Sequence, residues 1–585
     1  MKSFEERSTF ASAAAPDAVW RELCASGAIE RDGAFPDVRY EREERADAPA
    51  VDVGRATLGP LAIEWEEPPW SWEAPRRVTV VRRFRRGPFA RYVRDVVVVP
   101  DGGGSRIERT VTLEARDGFG AMLAPFVLAR ERTAGGEPVA RAADAAAEAG
   151  ATGASPAALA RFADAIDALR PHAAEDAAIA ARLAAHVEHA GEAALAAMRP
   201  YALAAAWQLP RARVVAAMLA AARAGILDPS WRIACDGCGG WCAEETALAN
   251  VGSDARCARC DAPCPVELDR TVELVFDGRG DERTARDPQR PEGPRGAPLA
   301  PAQLVVAARL TATIRTTLEP GPHRIRAGGA EAHVLVAAGA RGRTLRVAVG
   351  ENGLRVEPDA VAPGTVQVEV INDGVRDVPV RISASRPATD RATAAEVAAL
   401  QAFRDLFPFD APAAGAVFAL RELTVLWFEL ADAPRLYADF GDVRALALVA
   451  EHHEALHDVV AEQRGAIVKF AGDAALTAFT DPRDAIVAAI RFARSAPLPV
   501  RAGGQLGPCV ALRANERFEI AGATVDLAQR IARGGGAGEI LLGAALAGDS
   551  RVSRALGAAE RGTLSLRGAP APLDVVRIRT QNALP

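Results

Sequence analysis

The amino-acid sequence predicts a multidomain α+β protein. With 585 residues the chain is too long for one hydrophobic core, and three to five domains are expected. A hydrophobic content of 49% and a charged content of 25% are ordinary for a folded protein. Strand-like and helical stretches alternate along the chain, and residues 416–585 follow the order βαββαβ. These observations predict several mixed domains in series.

Charge and hydropathy argue against two classes of partner. The net charge is −6, which gives no global basic field for nucleic acid or a membrane surface. The first residues, Met1 to Glu6, run into charges without an apolar segment, and no stretch of about 18 apolar residues follows. We therefore expect a cytoplasmic protein that binds neither nucleic acid nor membrane.

Residues 1–140 combine one early helix with several strands. Pro16 opens the helix that carries Trp20, and β-prone runs follow at residues 77–81 and 107–113. This proline and tryptophan spacing resembles the START-like helix-grip family. The resemblance implies a cavity for an apolar small ligand. An empty or small core in a regulatory domain is the alternative.

Residues 155–228 are alanine-rich and are predicted to form two or three short helices. Ser155-Pro156 marks a helix start and Gly225 a stop. A winged-helix-like arrangement is compatible with this pattern, but the segment lacks the basic stripe of a DNA-binding domain. Its histidines, His172, His186 and His189, are interpreted as surface or packing residues.

Residues 229–275 contain two cysteine knuckles. Cys235 and Cys238 form one CxxC pair, and Cys257 and Cys260 form a second after an 18-residue gap. Four thiolates at this spacing bind Zn²⁺ tetrahedrally at ~2.3 Å, in a closed structural site. The additional residues Cys242 and Cys264 are alternative ligands or small buried side chains. In a reducing compartment six clustered cysteines indicate metal rather than disulfides.

A linker and a β-rich domain come next. Residues 276–299 are rich in proline, glycine and charge, which predicts the linker. Residues 300–386 are predicted to be β-rich, with a hairpin turn at Asp373-Gly374. Residues 390–415 are predicted to be a linker that contains a short helix.

Residues 416–585 form the last predicted domain. A buried strand at 423–428 precedes a helix whose apolar positions include Leu446, Val449, Leu456 and Val460. Residues 467–470 and 474–479 are predicted to form a hairpin around Ala471-Gly472-Asp473. Asp481-Pro482 begins the next helix. A strand at 500–512 and a helix at 524–532 complete the pattern.

Three segments in this order, residues 423–430, 469–473 and 522–530, carry a specific resemblance. They are similar to class III adenylate/guanylate cyclases, and residues 436–442 and 515–518 resemble a bacterial group with START-like and cysteine-knuckle parts ahead of the cyclase. The resemblance implies a ferredoxin-like domain that converts ATP or GTP to the cyclic nucleotide and pyrophosphate. It also implies two Mg²⁺ or Mn²⁺ ions and a head-to-tail homodimer.

The resemblance assigns roles to six positions. Asp473 and Glu429 stand where metal-binding carboxylates stand, although the family has aspartate at the latter. Lys469 matches the adenine-selecting lysine, and Glu519 holds the second base-contacting position, which favours ATP over GTP. Arg530 matches the transition-state arginine, and Asp526 replaces an asparagine. Lys469 is one of only two lysines in the chain, the other being Lys2.

The departures from the family pattern add negative charge on the phosphate side. Asp526 places a carboxylate where a neutral amide faces the triphosphate, at a cost on the order of several kcal/mol. Asp432 and Pro434 stand in the phosphate loop, where Pro434 removes an N–H donor. The sequence therefore predicts weak or absent turnover. An ATP-using cyclase, a non-catalytic nucleotide- or partner-binding pseudoenzyme and a sensor of apolar ligands stay open as functions.

Overall fold

The computed structural model describes residues 2–25, 35, 38–45, 48–134, 144, 154–167, 173–190, 195–235, 241–257, 262–278, 300–327, 329–350, 353–384, 391–556, 559–566 and 571–580. These residues form a mixed α+β fold with several sheets. Among them, no helix combines the length and the apolar character that crossing a membrane requires.

The N-terminal part is a meander of antiparallel strands with two helices. Its elements are β1 (Lys2–Ser12), α1 (Pro16–Ala25), β2 (Arg39–Arg45), β3 (Ala48–Leu58), β4 (Leu61–Glu67), β5 (Ser71–Glu73), β6 (Arg77–Arg86), β7 (Phe89–Asp101), β8 (Gly104–Ala115) and α2 (Gly118–Ala134). Apolar side chains alternate with polar ones along β6 and β8, which gives each strand one buried face. Helix α2 packs on β1 and β8.

The interior beneath α2 holds charged side chains. Arg94 and Arg109 both contact Glu131 of α2, and all three side chains are buried. Arg82 donates a hydrogen bond to the buried Glu67 at 2.7 Å. An apolar molecule placed beside ionised groups offers them no hydrogen bond and keeps water away from them, which is unfavourable. The described residues therefore do not support the apolar ligand predicted for this domain.

A helical segment and the cysteine-containing strands follow. The helices are α3 (Pro156–Asp167), α4 (Ala173–His189), α5 (Pro200–Trp207) and α6 (Arg211–Arg223). The strands are β9 (Leu227–Ala234), β10 (Trp241–Glu245), β11 (Asp254–Cys257), β12 (Ala262–Pro265) and β13 (Val272–Gly278), with a 3₁₀ helix at Leu248–Asn250. Strand β9 lies between β10 and β13, and β11 pairs with β12. The predicted linker at 276–299 lies largely outside the described residues.

Residues 302–384 form two packed sheets. The strands are β14 (Ala302–Val306), β15 (Thr311–Leu318), β16 (Gly321–Ala327), β17 (Ala330–Val336), β18 (Thr344–Gly350), β19 (Gly353–Glu357), β20 (Ala360–Val361), β21 (Gly364–Asn372) and β22 (Val378–Ala384). One sheet has the order β15-β21-β18-β19. The other, β14-β22-β16-β17-β20, continues the N-terminal sheet, because β14 pairs with β5.

The hairpin predicted at Asp373-Gly374 is wrong. Strand β21 pairs with β15 and β18, whereas β22 pairs with β14 and β16, so this connection crosses between the two sheets. Asn372 holds the crossing in place, since its side-chain amide donates hydrogen bonds to the carbonyls of Val306 and Arg376 at 3.0 and 2.7 Å. Both strands need a buried apolar face, and two facing sheets provide it.

Two short helices, α7 (Ala394–Ala398) and α8 (Gln401–Leu406), lead into the last domain. Thr393 and Glu396 form a capping box at the start of α7. The backbone N–H of Leu274 in β13 donates to the carbonyl of Ala392 at 2.8 Å. Apolar residues from the helical segment, the cysteine-containing strands, α7, α8 and the last domain form one continuous core. Much of the linker is therefore packed into this core.

The C-terminal domain is an eight-stranded sheet flanked by helices. Its elements are β23 (Val417–Leu430), α9 (Ala433–Glu462), β24 (Ala466–Ala471), β25 (Ala474–Phe479), α10 (Pro482–Ser495), β26 (Val500–Ala514), β27 (Arg517–Ala521), α11 (Ala523–Arg533), β28 (Glu539–Gly543), α12 (Ala544–Ala547), α13 (Ser553–Leu556), β29 (Glu560–Leu564) and β30 (Leu573–Arg579). The sheet order is β24-β25-β23-β26-β28-β30-β29, with β27 paired to β26. The predicted hairpin, the helix start at Pro482 and the helix near 524–532 are present.

The apolar face predicted for α9 is correct at three of four positions. Val449, Leu456 and Val460 are buried, but Leu446 is 56% exposed. Gly441 has non-helical backbone angles, φ 70° and ψ 162°, and interrupts α9. Beyond this kink the buried stripe runs through Ala445, Val449, His452, Leu456 and Val460, so Leu446 lies beside the stripe, on the exposed side of the helix.

Candidate functional site

Glu429 lies near the end of β23, directly opposite Arg501 of β26. Nη2 of Arg501 donates a hydrogen bond to Oε1 of Glu429 at 3.0 Å. Nε of Arg533, near the end of α11, lies 3.7 Å from Oε2. The Glu429 side chain is only 16% exposed. The carboxylate predicted to bind metal is thus flanked by two guanidinium groups of its own chain.

Asp473 lies in the turn between β24 and β25. Gly472 permits this tight turn with φ 66°. Glu429 is paired with Ala474, so Asp473 is next in sequence to the residue opposite Glu429. Burial lowers the pKa of His453, and the charge of Asp473 partly opposes that shift. The topology thus brings the two predicted metal-binding carboxylates to the same end of the sheet.

The arrangement around Glu429 does not fit a divalent cation. Mg²⁺ binds carboxylate oxygens at ~2.0–2.1 Å, so an ion at Glu429 would lie close to the positively charged guanidinium groups of Arg501 and Arg533. Arg501 already uses Oε1, and Oε2, which is buried and accepts no hydrogen bond, lies within ion-pair distance of Arg533. A metal ion would have to displace both guanidinium groups to restore a favourable charge balance.

The predicted base-contacting residues meet each other. Lys469 of β24 and Glu519 of β27 form an ion pair in which the lysine side chain is 41% exposed and the glutamate 11% exposed. An ammonium beside a carboxylate offers one donor and one acceptor group. Such a pair can recognise the amino group and a ring nitrogen of adenine by hydrogen bonds.

Asp526 and Arg530 lie one turn apart on α11. The Asp526 carboxylate is 3.5 Å from Nη1 of Arg530, and its side chain is 64% exposed. Asp526 is in the first helical turn, where a carboxylate interacts favourably with the helix dipole. The carboxylate in the asparagine position therefore forms an ion pair with the predicted transition-state arginine.

The predicted phosphate loop is the N-terminus of α9. The side chain of Asp432 caps this helix by accepting a hydrogen bond from the backbone N–H of Arg435 at 3.4 Å, and Pro434 occupies the first turn. Helix N-terminal N–H groups are the donors that bind phosphate in many proteins. Here an internal carboxylate takes that place, and the proline removes one donor.

Sequence reasoning missed three arginines at this site. Arg501 and Arg533 contact Glu429, and only strand register and helix packing bring them there. Arg404 of α8 donates to the carbonyl of Phe518 at 2.8 Å, next to Glu519. Burial lowers the pKa of Arg404 to about 10, and the charge of Glu519 opposes the shift. Its Nη2 is buried without a hydrogen-bond partner.

The cysteine cluster is a second candidate site. The sulfur atoms of Cys235, Cys242 and Cys257 all lie within 4.8 Å of one another. Cys238 and Cys260, the other predicted zinc ligands, lie outside the described residues. Of these sulfurs, those of Cys235 and Cys257 belong to thiols, the donor type that a thiolate-binding metal such as zinc prefers.

The cysteine prediction needs one correction. Cys242 and Cys264 form a disulfide, whereas the sequence pattern was interpreted as metal-binding without disulfides. The pairing of β11 with β12 places Cys264 opposite Ala255, and β10 packs beside β11. Strand contacts that sequence spacing does not reveal therefore bring these two residues together, at a Cα–Cα distance of 6.7 Å.

Comparisons with known proteins give partial likenesses. A family model described as a family of unknown function, DUF5939, matches residues 161–289. A comparison with curated proteins gave no match. The adenylyl cyclase CyaB from P. aeruginosa is similar in structure, at 19% identity over 29% of this chain and 98% of that chain, with a TM-score of 0.25.

Two further solved structures show the same likeness. An adenylate cyclase from Trypanosoma brucei in its monomeric state is 18% identical over 27% of this chain and 88% of that chain, with a TM-score of 0.24. The guanylate cyclase domain of RhGC from Catenaria anguillulae, in complex with GTP, is 15% identical over 28% of this chain and 99% of that chain, with a TM-score of 0.25. At these values the likeness assigns no activity to this chain.

Proposed function

We propose that this protein is a signalling protein whose C-terminal, adenylate-cyclase-like domain binds ATP and turns it over weakly or not at all. Residues 423–430, 469–473 and 522–530 carry the sequence resemblance, and the Lys469–Glu519 pair supplies the means to recognise adenine. The observation that carries the proposal is the pairing of Glu429 with Arg501 and Arg533, which neutralises a carboxylate predicted to bind metal.

The charges at the phosphate end support the same proposal. Asp526 shields Arg530, and Asp432 caps the helix where a phosphate would bind. Both carboxylates oppose a triphosphate, and each ~1.4 kcal/mol of lost transition-state stabilisation costs tenfold in rate. Since the predicted base-contacting pair is present, we expect the domain to bind ATP even where it does not turn it over efficiently.

Two assays on the full-length protein test this proposal. Cyclic AMP is measured after incubation with ATP and either Mg²⁺ or Mn²⁺, and ATP binding is measured by calorimetry with and without the metals. We expect binding without rapid product formation, and binding that depends little on metal. Turnover at rates of about 1 s⁻¹ or above, ordinary for enzymes, would overturn the proposal.

The alternative is an active adenylate cyclase that works as a homodimer, with the residues of one active site contributed by both chains. The intact Lys469–Glu519 pair favours it. In that case a second chain would have to draw Arg501 and Arg533 away from Glu429, and activity would rise with protein concentration. The test is to measure cyclic AMP formation per chain over a range of protein concentrations in which the dimer dissociates. A rate that does not change over this range argues against the alternative.

We further propose that the cysteine knuckles hold a structural zinc ion. Cys235 and Cys257 are buried and close together, and thiolates are the ligands that zinc prefers in closed sites. The ion would link the β9–β10 and β11–β12 segments, which belong to the same core as the linker helices. Its role would be to stabilise the fold, without any part in catalysis.

A further inference from the structure

A pocket lies between the segment matched by the family of unknown function and the linker to the cyclase-like domain. Its volume is about 300 Å³, at the lower end of ligand sites, which range over ~300–1,000 Å³. One side of the pocket is formed by α6, β9, β13 and residues at the start of the 3₁₀ helix, and the other side by the linker. The linker side contributes Phe403, Phe407, Phe409 and Asp410.

The lining is mainly apolar and aromatic, and its polar side chains without an aromatic ring are those of Thr246 and Asp410. Trp231 and Phe403 meet edge to face, with ring centroids 5.9 Å apart, and Phe403 stacks on Phe407 at 6.1 Å. Phe409 is 68% exposed at the rim, although large aromatic side chains are normally buried. These rings form a slot that suits a small planar molecule.

The charged group of the lining is the carboxylate of Asp410. Its Oδ2 accepts a hydrogen bond from Nε1 of Trp231 at 2.8 Å, and its Oδ1 accepts one from the backbone N–H of Leu248 at 2.6 Å. A carboxylate can accept about four hydrogen bonds, so this pocket-lining group retains acceptor capacity. Among the described residues Asp410 has no ion-pair partner. Burial raises its pKa, as expected for a negative charge that lacks a counter-ion.

We propose that this pocket binds a small aromatic molecule carrying a protonated primary amine. The aromatic ring would pack against the aromatic wall of the pocket, and the ammonium group would donate a hydrogen bond to Asp410. An aromatic ring alone would fill the slot but leave the carboxylate unpaired, and an anion would be repelled by it. The charge of Asp410 therefore selects the cation from among the apolar molecules that fit.

The pocket also touches the nucleotide-binding side of the protein. The guanidinium of Arg517 lies 5.9 Å from the ring centroid of Phe409, and Arg517 is two residues before Glu519. Arg404, on the same short helix as Phe403, donates to the carbonyl of Phe518. An occupied pocket would thus restrain the strand that carries the base-contacting carboxylate. This binding site does not depend on whether the cyclase-like domain is active.

Calorimetry on the full-length protein tests the proposal with a matched pair of probes. Tryptamine carries the amine, and tryptophol has the same ring with a neutral hydroxyl. We expect tryptamine to bind about tenfold or more tightly than tryptophol, because only the ammonium group forms a charge-assisted hydrogen bond with the carboxylate. In Asp410→Asn protein this preference should disappear, while the weak binding of tryptophol should persist.

Phe409→Ala gives a second test that is safe for folding, because the ring is exposed. It should weaken both probes, whereas Phe440→Ala, which removes a 45% exposed ring elsewhere, should weaken neither. Equal binding of tryptamine and tryptophol to the unmodified protein, or no binding of either at millimolar concentration, would overturn the proposal. If circular dichroism shows that Asp410→Asn does not fold, the proposal is still tested by the two probes on the unmodified protein and by the two phenylalanine variants.

Discussion

Glu429 and Arg501 face each other across β23 and β26, joined by a hydrogen bond of 3.0 Å. The residue that sequence resemblance places at a metal site is therefore part of an internal ion pair. Because the two side chains are 16% and 22% exposed, the pair is partly shielded from water. Its attraction is stronger than that of a surface salt bridge, which contributes ~0–1 kcal/mol. This relationship explains why we expect binding without efficient turnover.

Removing the arginines should restore metal binding at Glu429. A unit charge about 5 Å away contributes on the order of 3 kcal/mol at an effective dielectric of 20. We expect Arg501→Gln with Arg533→Gln to raise the affinity for Mn²⁺ at least about tenfold, measured by electron paramagnetic resonance. Arg513→Gln, which alters an arginine of the same strand that pairs with Glu516, is the control. Equal affinity in the variant and the parent would contradict this explanation.

The Lys469–Glu519 pair should contribute to both stability and nucleotide binding. Lys469→Met removes the ion-pair partner of a largely buried carboxylate, and we expect a loss of about 1 kcal/mol in the free energy of unfolding. Adding Glu519→Gln should recover most of that stability but not ATP affinity, measured by calorimetry. Lys2→Met, at the only other lysine, should change neither. A stability loss that Glu519→Gln does not reduce would show that the two residues act independently.

Asp526→Asn should increase the affinity for ATP in the absence of metal. The substitution removes a negative charge beside Arg530 that would repel a triphosphate. We expect about a tenfold gain, measured by calorimetry, and together with Glu429→Asp an increase in any residual cyclic AMP formation. Asp439→Asn is a matched control, because Asp439 pairs with Arg435 one turn away on α9 at 3.4 Å. A similar gain from both substitutions would point to net charge alone.

Stability should fall as the pH drops from about 6.5 to about 4. His452 is buried against Phe492, and burial lowers its pKa to about 4, with a smaller effect from His453. The unfolded chain binds a proton at His452 near pH 6.5, so protonation favours unfolding between these values. We expect this histidine to contribute a slope of up to ~1.4 kcal/mol per pH unit in that window.

Denaturant titrations at several pH values measure this slope. His452→Leu should reduce it, whereas His333→Gln, at a side chain that is 63% exposed, should leave it unchanged. Carboxylates add their own pH dependence, so the comparison between variants is the decisive quantity. An identical slope in His452→Leu protein and its parent would mean that His452 is not the group responsible.

The cysteine cluster should hold about one zinc ion per chain in protein purified under reducing conditions. Cys235→Ser with Cys257→Ser removes two of the clustered sulfurs, and we expect loss of the metal and a lower melting temperature. Elemental analysis of the protein measures the metal. Cys509→Ser alters a buried cysteine far along the chain and should retain the zinc. Full zinc content in the double variant would rule out this site.

Local patterns in the sequence predicted many elements of the last domain correctly. The hairpin around Gly472, the helix after Asp481 and the helix that carries Asp526 are all present. Each depends on a residue with a strong local preference, such as a glycine with positive φ or an aspartate cap followed by proline. The sheet crossing at Asp373-Gly374 was missed, because turn residues specify a change of direction but not the partner of the next strand.

The candidate site was likewise predictable from the sequence only in part. The sequence by itself determined which charges the site contains: the lone internal lysine, the two predicted metal carboxylates, and the departures at Asp526, Asp432 and Pro434. Only the tertiary structure decided how those charges are satisfied. Arg501 lies 72 residues from Glu429 in sequence, and Arg533 reaches it from a separate helix. Electrostatic energy depends on distance in space, so strand register and helix packing, rather than composition, set the partner of each carboxylate.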